Sequence, residues 1–133
     1  MNKLIIFDLD GVLIESRELH YEALNAALSN VDPLFVITKE EHLSTYDGLN
    51  TTRKLELLSE RKGLDRKFFD QIWADKQTET FKLIKKFPQS PYLVNMFANI
   101  KEQGIKIAVA SNSIRETVKL ALLKVVKIGR AHV

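Results

Sequence analysis

Residues 3–16, Lys-Leu-Ile-Ile-Phe-Asp-Leu-Asp-Gly-Val-Leu-Ile-Glu-Ser, leave this chain few folds to choose from. Residues 4–7 form an unbroken apolar run, the pattern of a strand buried on both faces inside a parallel sheet. Two acids arrive where that run ends. Side chains two apart on an extended segment project the same way, so Asp8 and Asp10 are expected side by side just past the strand's carboxyl end. Open parallel sheets build their ligand sites along that edge. Carboxylates this close repel unless a cation sits between them or one keeps its proton. The pair therefore implies either a divalent metal or a nucleophile and acid couple. Gly11 suits a tight turn or an open path to a ligand. The plainer alternative is a capped strand end followed by an ordinary turn.

The rest of the composition narrows the classes. With 133 residues, 45% hydrophobic and 28% charged, the chain has the size and makeup of one modest globular domain with a core. Its net charge of +3 is spread through interleaved runs such as Lys39-Glu40-Glu41 and Glu60-Arg61-Lys62. That is the pattern of a solvated surface, and no nucleic-acid partner is expected. The absence of cysteine excludes disulfides and thiolate metal sites, so any metal must be held by oxygen or histidine, which favours Mg²⁺. Met1-Asn2-Lys3 enters the strand without the features of a signal peptide, and no apolar run is long enough to span a bilayer. A cytoplasmic location and no membrane partner are the expectation; the oligomeric state is left open.

Beyond Ser16 the apolar period becomes helical, with Leu19, Ala23, Leu24, Ala26, Ala27 and Leu28 forming a stripe that residues 29–33 should end. Thr38 and Glu41 have capping-box spacing ahead of a short helix to about Tyr46. Residues 47–50 read as a turn, Asn50 or Thr51 as the cap of a helix carrying Leu55 and Leu58, and Gly63 as its stop. Asp65 should cap a longer helix with Phe68, Phe69, Ile72, Trp73, Phe81 and Ile84 at core spacing. Pro88 and Pro91 mark a boundary loop. A helix from about Tyr92 to Gln103 then buries Leu93, Met96, Phe97 and Ile100. Residues 105–110 are a second buried-strand candidate, and Ser113 and Glu116 suggest a capping box for a helix to about Val126. Strand, helices, strand is the order of parallel pairing with a right-handed crossover.

The first stretch closely resembles the opening motif of the haloacid dehalogenase-like phosphohydrolases, an apolar strand followed by Asp-x-Asp-Gly-[Thr/Val]. The resemblance implies an α/β Rossmann-like core in pieces 1–14 and 87–127, with a helical cap at 15–86 of the kind found in the phosphoglycolate phosphatase and β-phosphoglucomutase branch. It implies that Asp8 is the nucleophile that takes the phosphoryl group and that Asp10 is the general acid and base. Mg²⁺ would bind the Asp8 carboxylate and the Asp10 backbone carbonyl. Ser111 matches the second motif, whose hydroxyl holds a phosphate oxygen together with the N–H of Asn112. On this reading Ser111 lies beside the acids. Ser16, His20, Gly48 and Lys76 fall at positions where that branch places hinge and cap residues facing substrate. His20 and Lys76 are equally readable as ordinary surface residues. Where the mutase carries an arginine for a second phosphate this chain has Thr51, which favours plain hydrolysis over mutase action.

The resemblance runs to about Val126. The family's third motif, a lysine, and its fourth, the distal metal acids, have no counterpart here, and Lys119, Lys124 and Lys127 come too early to serve. Residues 128–133 resemble a translated sequencing adapter, so the tail is expected to be non-native and the chain a truncated reading frame. The function implied is a Mg²⁺-dependent phosphatase of a small phosphorylated metabolite, weakly active or inactive in this form. A β-phosphoglucomutase-like phosphotransferase and a non-catalytic binding or interaction module are the alternatives.

Overall fold

A computed structural model describes residues 2–127; the expected non-native tail lies outside the described residues. Among them are two parallel strands and six α-helices in the order expected of an α/β core with a helical insertion. The chain divides into two compact units, residues 1–16 with 81–133, and residues 17–80.

The first unit is built on the sheet. Strand β1 (Leu4–Asp8) pairs in parallel with β2 (Lys106–Ala110), Ile5 opposite Ile107 and Asp8 opposite Ala110. Ser90 caps helix α5 (Pro91–Glu102) by accepting the Leu93 N–H, with Pro91 at the first helical position where its missing N–H costs nothing. Helix α6 (Arg115–Val126) follows β2, and the Val125 carbonyl accepts the Ser90 N–H at 2.8 Å. Phe97 is the one fully buried side chain of α5 and meets Phe7 edge to face, ring centres 5.1 Å apart. Of the other core candidates on α5, Leu93, Met96 and Ile100 are half-buried.

Two expectations fail here for identifiable reasons. β1 is not buried on both faces: Leu4 and Ile6 are 55% and 63% exposed, while Ile5 and Phe7 are half-buried. With two strands, helices cover the face that carries Phe7 and Val109, and no described element covers the other, so an apolar run that suits a doubly covered strand here alternates. Nor does Ser113 cap α6. Ile114 occupies the cap position without a side-chain bond, and the Ser113 N–H is instead taken by the Ser111 hydroxyl at 3.1 Å.

The second unit is helical. Helix α1 (Arg17–Val31) buries Leu19, Ala23, Leu24, Ala27 and Leu28 and runs past Ser29 and Asn30, with Asp32 capping a 3₁₀ turn at Pro33–Phe35. Thr38 caps α2 (Lys39–Glu41), which passes into a π turn, His42–Tyr46. Asn50 caps α3 (Thr51–Lys62), which ends at left-handed Gly63, and α4 (Phe69–Ile84) follows a 3₁₀ turn capped by Asp65. Leu24, Leu28, Ile37, Tyr46, Leu55, Leu58, Leu64 and Ile72 form one core cluster, with Phe68 and Phe69 packed against it. Trp73, expected inside, is 41% exposed. Asn25 ties the connecting segment to α1, its amide giving and taking one bond each with the Ile37 backbone.

Candidate active site

β1 delivers two acids to its carboxyl end and a turn fixes the second. Asp8 closes the strand with an exposed side chain, while Leu9 is 1% exposed and anchors the segment. The Leu9 carbonyl accepts N–H bonds from Val12, Leu13 and Ile14 at 3.3, 3.0 and 3.1 Å, and the Gly11 N–H returns to the Ile14 carbonyl at 2.8 Å. Such a tight reversal needs φ of +76° at residue 11, a conformation glycine adopts without strain. The chain comes back past Asp10, and buried Ser16 donates its hydroxyl to Asp10 Oδ1 at 2.6 Å.

The second strand supplies the other side. Ser111, one residue past β2, donates to Asp10 Oδ2 at 3.1 Å, so each oxygen of this carboxylate receives a serine hydroxyl. Hydrogen bonds to an ionised acceptor are roughly twice as strong as neutral ones, and two on opposite oxygens fix the plane of the group. Ser111 thus lies beside the acids, and its oxygen also accepts the Ser113 N–H. Asn112, next to it, is exposed.

The donors here are hard oxygens without sulfur, the set that suits Mg²⁺, which commonly takes one or two carboxylates and fills its octahedron with water and phosphate oxygens. No group of three or more His, Cys, Asp or Glu side chains gathers among the described residues. With serines on both Asp10 oxygens, the Asp8 carboxylate is the more open side-chain donor.

The remaining sequence candidates fall in the helical unit. His20 lies half-buried on α1. Gly48 is exposed in the turn before α3 with φ of +82°. Lys76 is 6% exposed, not the surface lysine its residue type suggests, and donates to the Thr51 hydroxyl at 3.0 Å.

Sequence reasoning passed over His42 and Lys54, 3% and 4% exposed. Burial, and then the Lys54 charge, push the His42 imidazole below its ordinary range. Burial likewise lowers the Lys54 ammonium, with Asp47 opposing. Asp47 binds Arg17 at 3.0 Å and lies 3.8 Å from His42 Nε2. Spacing held a signal for Lys54: with Thr51, Leu55 and Leu58 it completes the i, i+3, i+4, i+7 face of α3, where an apolar residue belongs.

Similarity to known proteins agrees with this architecture. A family model described as haloacid dehalogenase-like hydrolase matches residues 5–130. The fold superposes on CbbY from Rhodobacter sphaeroides in complex with xylulose-(1,5)bisphosphate with a TM-score of 0.80 and 21% identity, over 96% of this chain and 59% of that one. A predicted phosphoglycolate phosphatase from Haemophilus somnus gives 0.73 and 23% identity over 91% and 56%. The β-phosphoglucomutase of Clostridium difficile gives 0.65 and 22% over 92% and 56%. The chain thus spans somewhat over half the length of these structures. No curated protein sequence matches it significantly. No helix among the described residues is long and apolar enough to cross a membrane. By the family model and the strand, turn and strand that carry Asp8, Asp10 and Ser111, the chain belongs to the haloacid dehalogenase-like hydrolases.

Proposed function

We propose that the protein is a Mg²⁺-dependent phosphatase of a small phosphorylated metabolite, working through an aspartyl-phosphate on Asp8. The observation that carries this reading is the bond from Ser111 to Asp10, which brings the ends of both strands to one place. A carboxylate oxygen of Asp8, exposed at the strand end, attacks phosphorus as the ester P–O bond breaks. Asp10 gives its proton to the leaving alkoxide, then takes one from the water that attacks the mixed anhydride, releasing phosphate and restoring Asp8. When Asp10 carries the proton, one of its serine partners must turn from donor to acceptor. Mg²⁺, held by the Asp8 carboxylate and the Asp10 backbone carbonyl, would neutralise phosphate charge so that an anion can approach an anion. Ser111 and the Asn112 N–H would hold a phosphate oxygen, by analogy with the family's second motif.

Hydrolysis fits better than mutase action. Thr51, where a mutase would hold an arginine, is engaged by Lys76 and offers no bidentate clamp. The similar structures include a predicted phosphatase and a mutase, and one is in complex with a sugar bisphosphate, so a phosphorylated small metabolite is the substrate class they support. The test is a panel of phosphorylated metabolites with Mg²⁺, read as phosphate release and as a phosphoryl mass increment on the peptide containing Asp8. Slow release and an increment that both vanish in Asp8→Asn are expected. Release, or a phosphoryl increment, that persists in Asp8→Asn overturns the reading.

A further inference from the structure

One face of the sheet carries an apolar row with a charge at each end. Leu4, Ile6 and Asp8 are exposed and alternate with the half-buried Ile5 and Phe7, so these three side chains of β1 share the face away from the helices. The register sets Lys106 beside Leu4, Ala108 beside Ile6 and Ala110 beside Asp8. The face is therefore basic where the strands begin, apolar in the middle and acidic where they end. No ion pair among the described residues engages Asp8 or Lys106. Four strand residues, about 13 Å, separate the two charges, too far for them to meet within one copy.

An apolar strip of this kind in water marks a contact surface, and its charges say what fits it. Two-fold packing of the face on itself has two solutions. If the strands of the two copies run the same way, Lys106 meets Lys106 and Asp8 meets Asp8, which like charge opposes. If they run in opposite directions, each Lys106 comes over the partner's Asp8, and Ile6 meets the partner's Ile6. Stacked sheets lie about 10 Å apart, a gap that the stem of a lysine spans to reach a carboxylate. The antiparallel solution is thus self-complementary in charge as well as in apolar surface. Size sets its strength. Two five-residue strands present roughly 17 Å by 10 Å, well under the ~800 Å² per partner of a standard interface, so the contact is weak and reversible.

We infer that the open face of the two-stranded sheet is a contact surface for a second copy of this chain, packed antiparallel across a two-fold axis with each Lys106 against the partner's Asp8. The pair closes over the exposed end of β1, so self-association and access to Asp8 compete. The contact goes beyond the proposed hydrolysis and does not depend on it, because it uses only the charge and the exposure of Asp8.

The test is sedimentation velocity of the full 133-residue chain at neutral pH, from about 10 µM to 1 mM, beside three variants. These are Lys106→Glu, Ile6→Thr, and the charge exchange that combines Asp8→Lys with Lys106→Glu. The parent should pass from monomer to dimer and stop there. Lys106→Glu sets acid against acid at both ends, and Ile6→Thr removes the central apolar contact, so each should raise the dissociation constant about ten-fold or more. The exchange restores opposite charges with reversed polarity and should recover the parent constant to within about three-fold. A parent that stays monomeric over the whole range, or that grows past the dimer, overturns the inference. So does a Lys106→Glu or Ile6→Thr chain that pairs as tightly as the parent, or an exchange no tighter than Lys106→Glu alone. None of these measurements reads phosphate release, so the chemistry at Asp8 keeps its own test.

Discussion

Asp10 and Ser111, 101 residues apart in the chain, are joined by a 3.1 Å hydrogen bond from hydroxyl to carboxylate. The bond exists because β1 and β2 run parallel in a register that sets Asp8 opposite Ala110, so the residues just beyond each strand leave the sheet together. Ser16 completes the arrangement at 2.6 Å on the other carboxylate oxygen. An acid held by two hydroxyls, each able to donate or accept, has partners for both its charged and its protonated forms.

Asp8 is exposed at the strand end, so its role can be tested without disturbing the core. Asp8→Asn keeps the shape and removes the nucleophile proposed above. The variant should unfold at the temperature of the parent and lose phosphate release by about a hundred-fold or more, since covalent catalysis has no substitute there. Thermal melting beside a phosphate-release assay measures both.

Ser16 and Ser111 hold the same carboxylate from opposite sides, and their removal should differ. Ser16 is 2% exposed, so Ser16→Ala removes a bond from the buried side of Asp10 and should cost about 1–2 kcal/mol of stability. Ser111 is half-buried, and Ser111→Ala should cost about 1 kcal/mol or less because water can replace the lost bond. Since each serine acts on Asp10, the pair should be non-additive in a double-mutant cycle read by urea unfolding.

How much of this was legible in sequence depends on what each signal measures. Apolar runs and caps are local, and β2, Thr38, Asn50, Gly63 and Asp65 are all where spacing put them. Asp8 and Asp10 were legible from their spacing at the strand end, and Ser111 only from its resemblance to the family's second motif. Burial is not local. The run of residues 4–7 shows that a strand is apolar but not how many elements cover it; the signal for the exposure of Leu4 and Ile6 was the count of only two strand candidates, which leaves an apolar face without cover. Ser113 failed as a cap because the helix begins one residue later, with Ile114 at the cap, and the Ser113 N–H that Glu116 would take in a capping box is held by the Ser111 hydroxyl. Lys54 was hidden because a charged residue within an apolar period reads as surface.

The open face of β1 predicts behaviour in solution. Leu4 and Ile6 lie on one side of a two-stranded sheet and are more than half exposed, with an unpaired strand edge among the described residues beside them. Exposed apolar strands template self-association. Ile6→Thr keeps a β-branched side chain and removes apolar surface already in water, so it should change stability by about 0.5 kcal/mol at most. Light scattering should show slower aggregation in this variant than in the parent at equal concentration.

Lys54 and His42 are both lowered by burial, but from ordinary values of 10.5 and 6.5, so they respond over different ranges of pH, which separates them. Burial lowers the Lys54 ammonium in the folded state, so at neutral pH, where the ammonium is charged in the unfolded chain, folding carries a penalty. Lys54→Met fills the same space without charge and should raise the melting temperature at pH 7 by several degrees, about 2–8 °C. His42 is also lowered, first by burial and then by Lys54. Its imidazole therefore stays neutral in the fold under conditions where the unfolded chain takes up a proton. Stability tied to His42 is fully present above the unfolded value near 6.5 and is lost as pH falls through the lower folded value. In His42→Leu that loss should vanish, so the gap between melting temperatures at neutral and at mildly acidic pH should narrow. In Lys54→Met the gap should narrow in part, because the largest cause after burial that lowers His42 is gone. Melting curves of the three proteins from neutral to mildly acidic pH measure this; an unchanged gap in His42→Leu would remove His42 as its source.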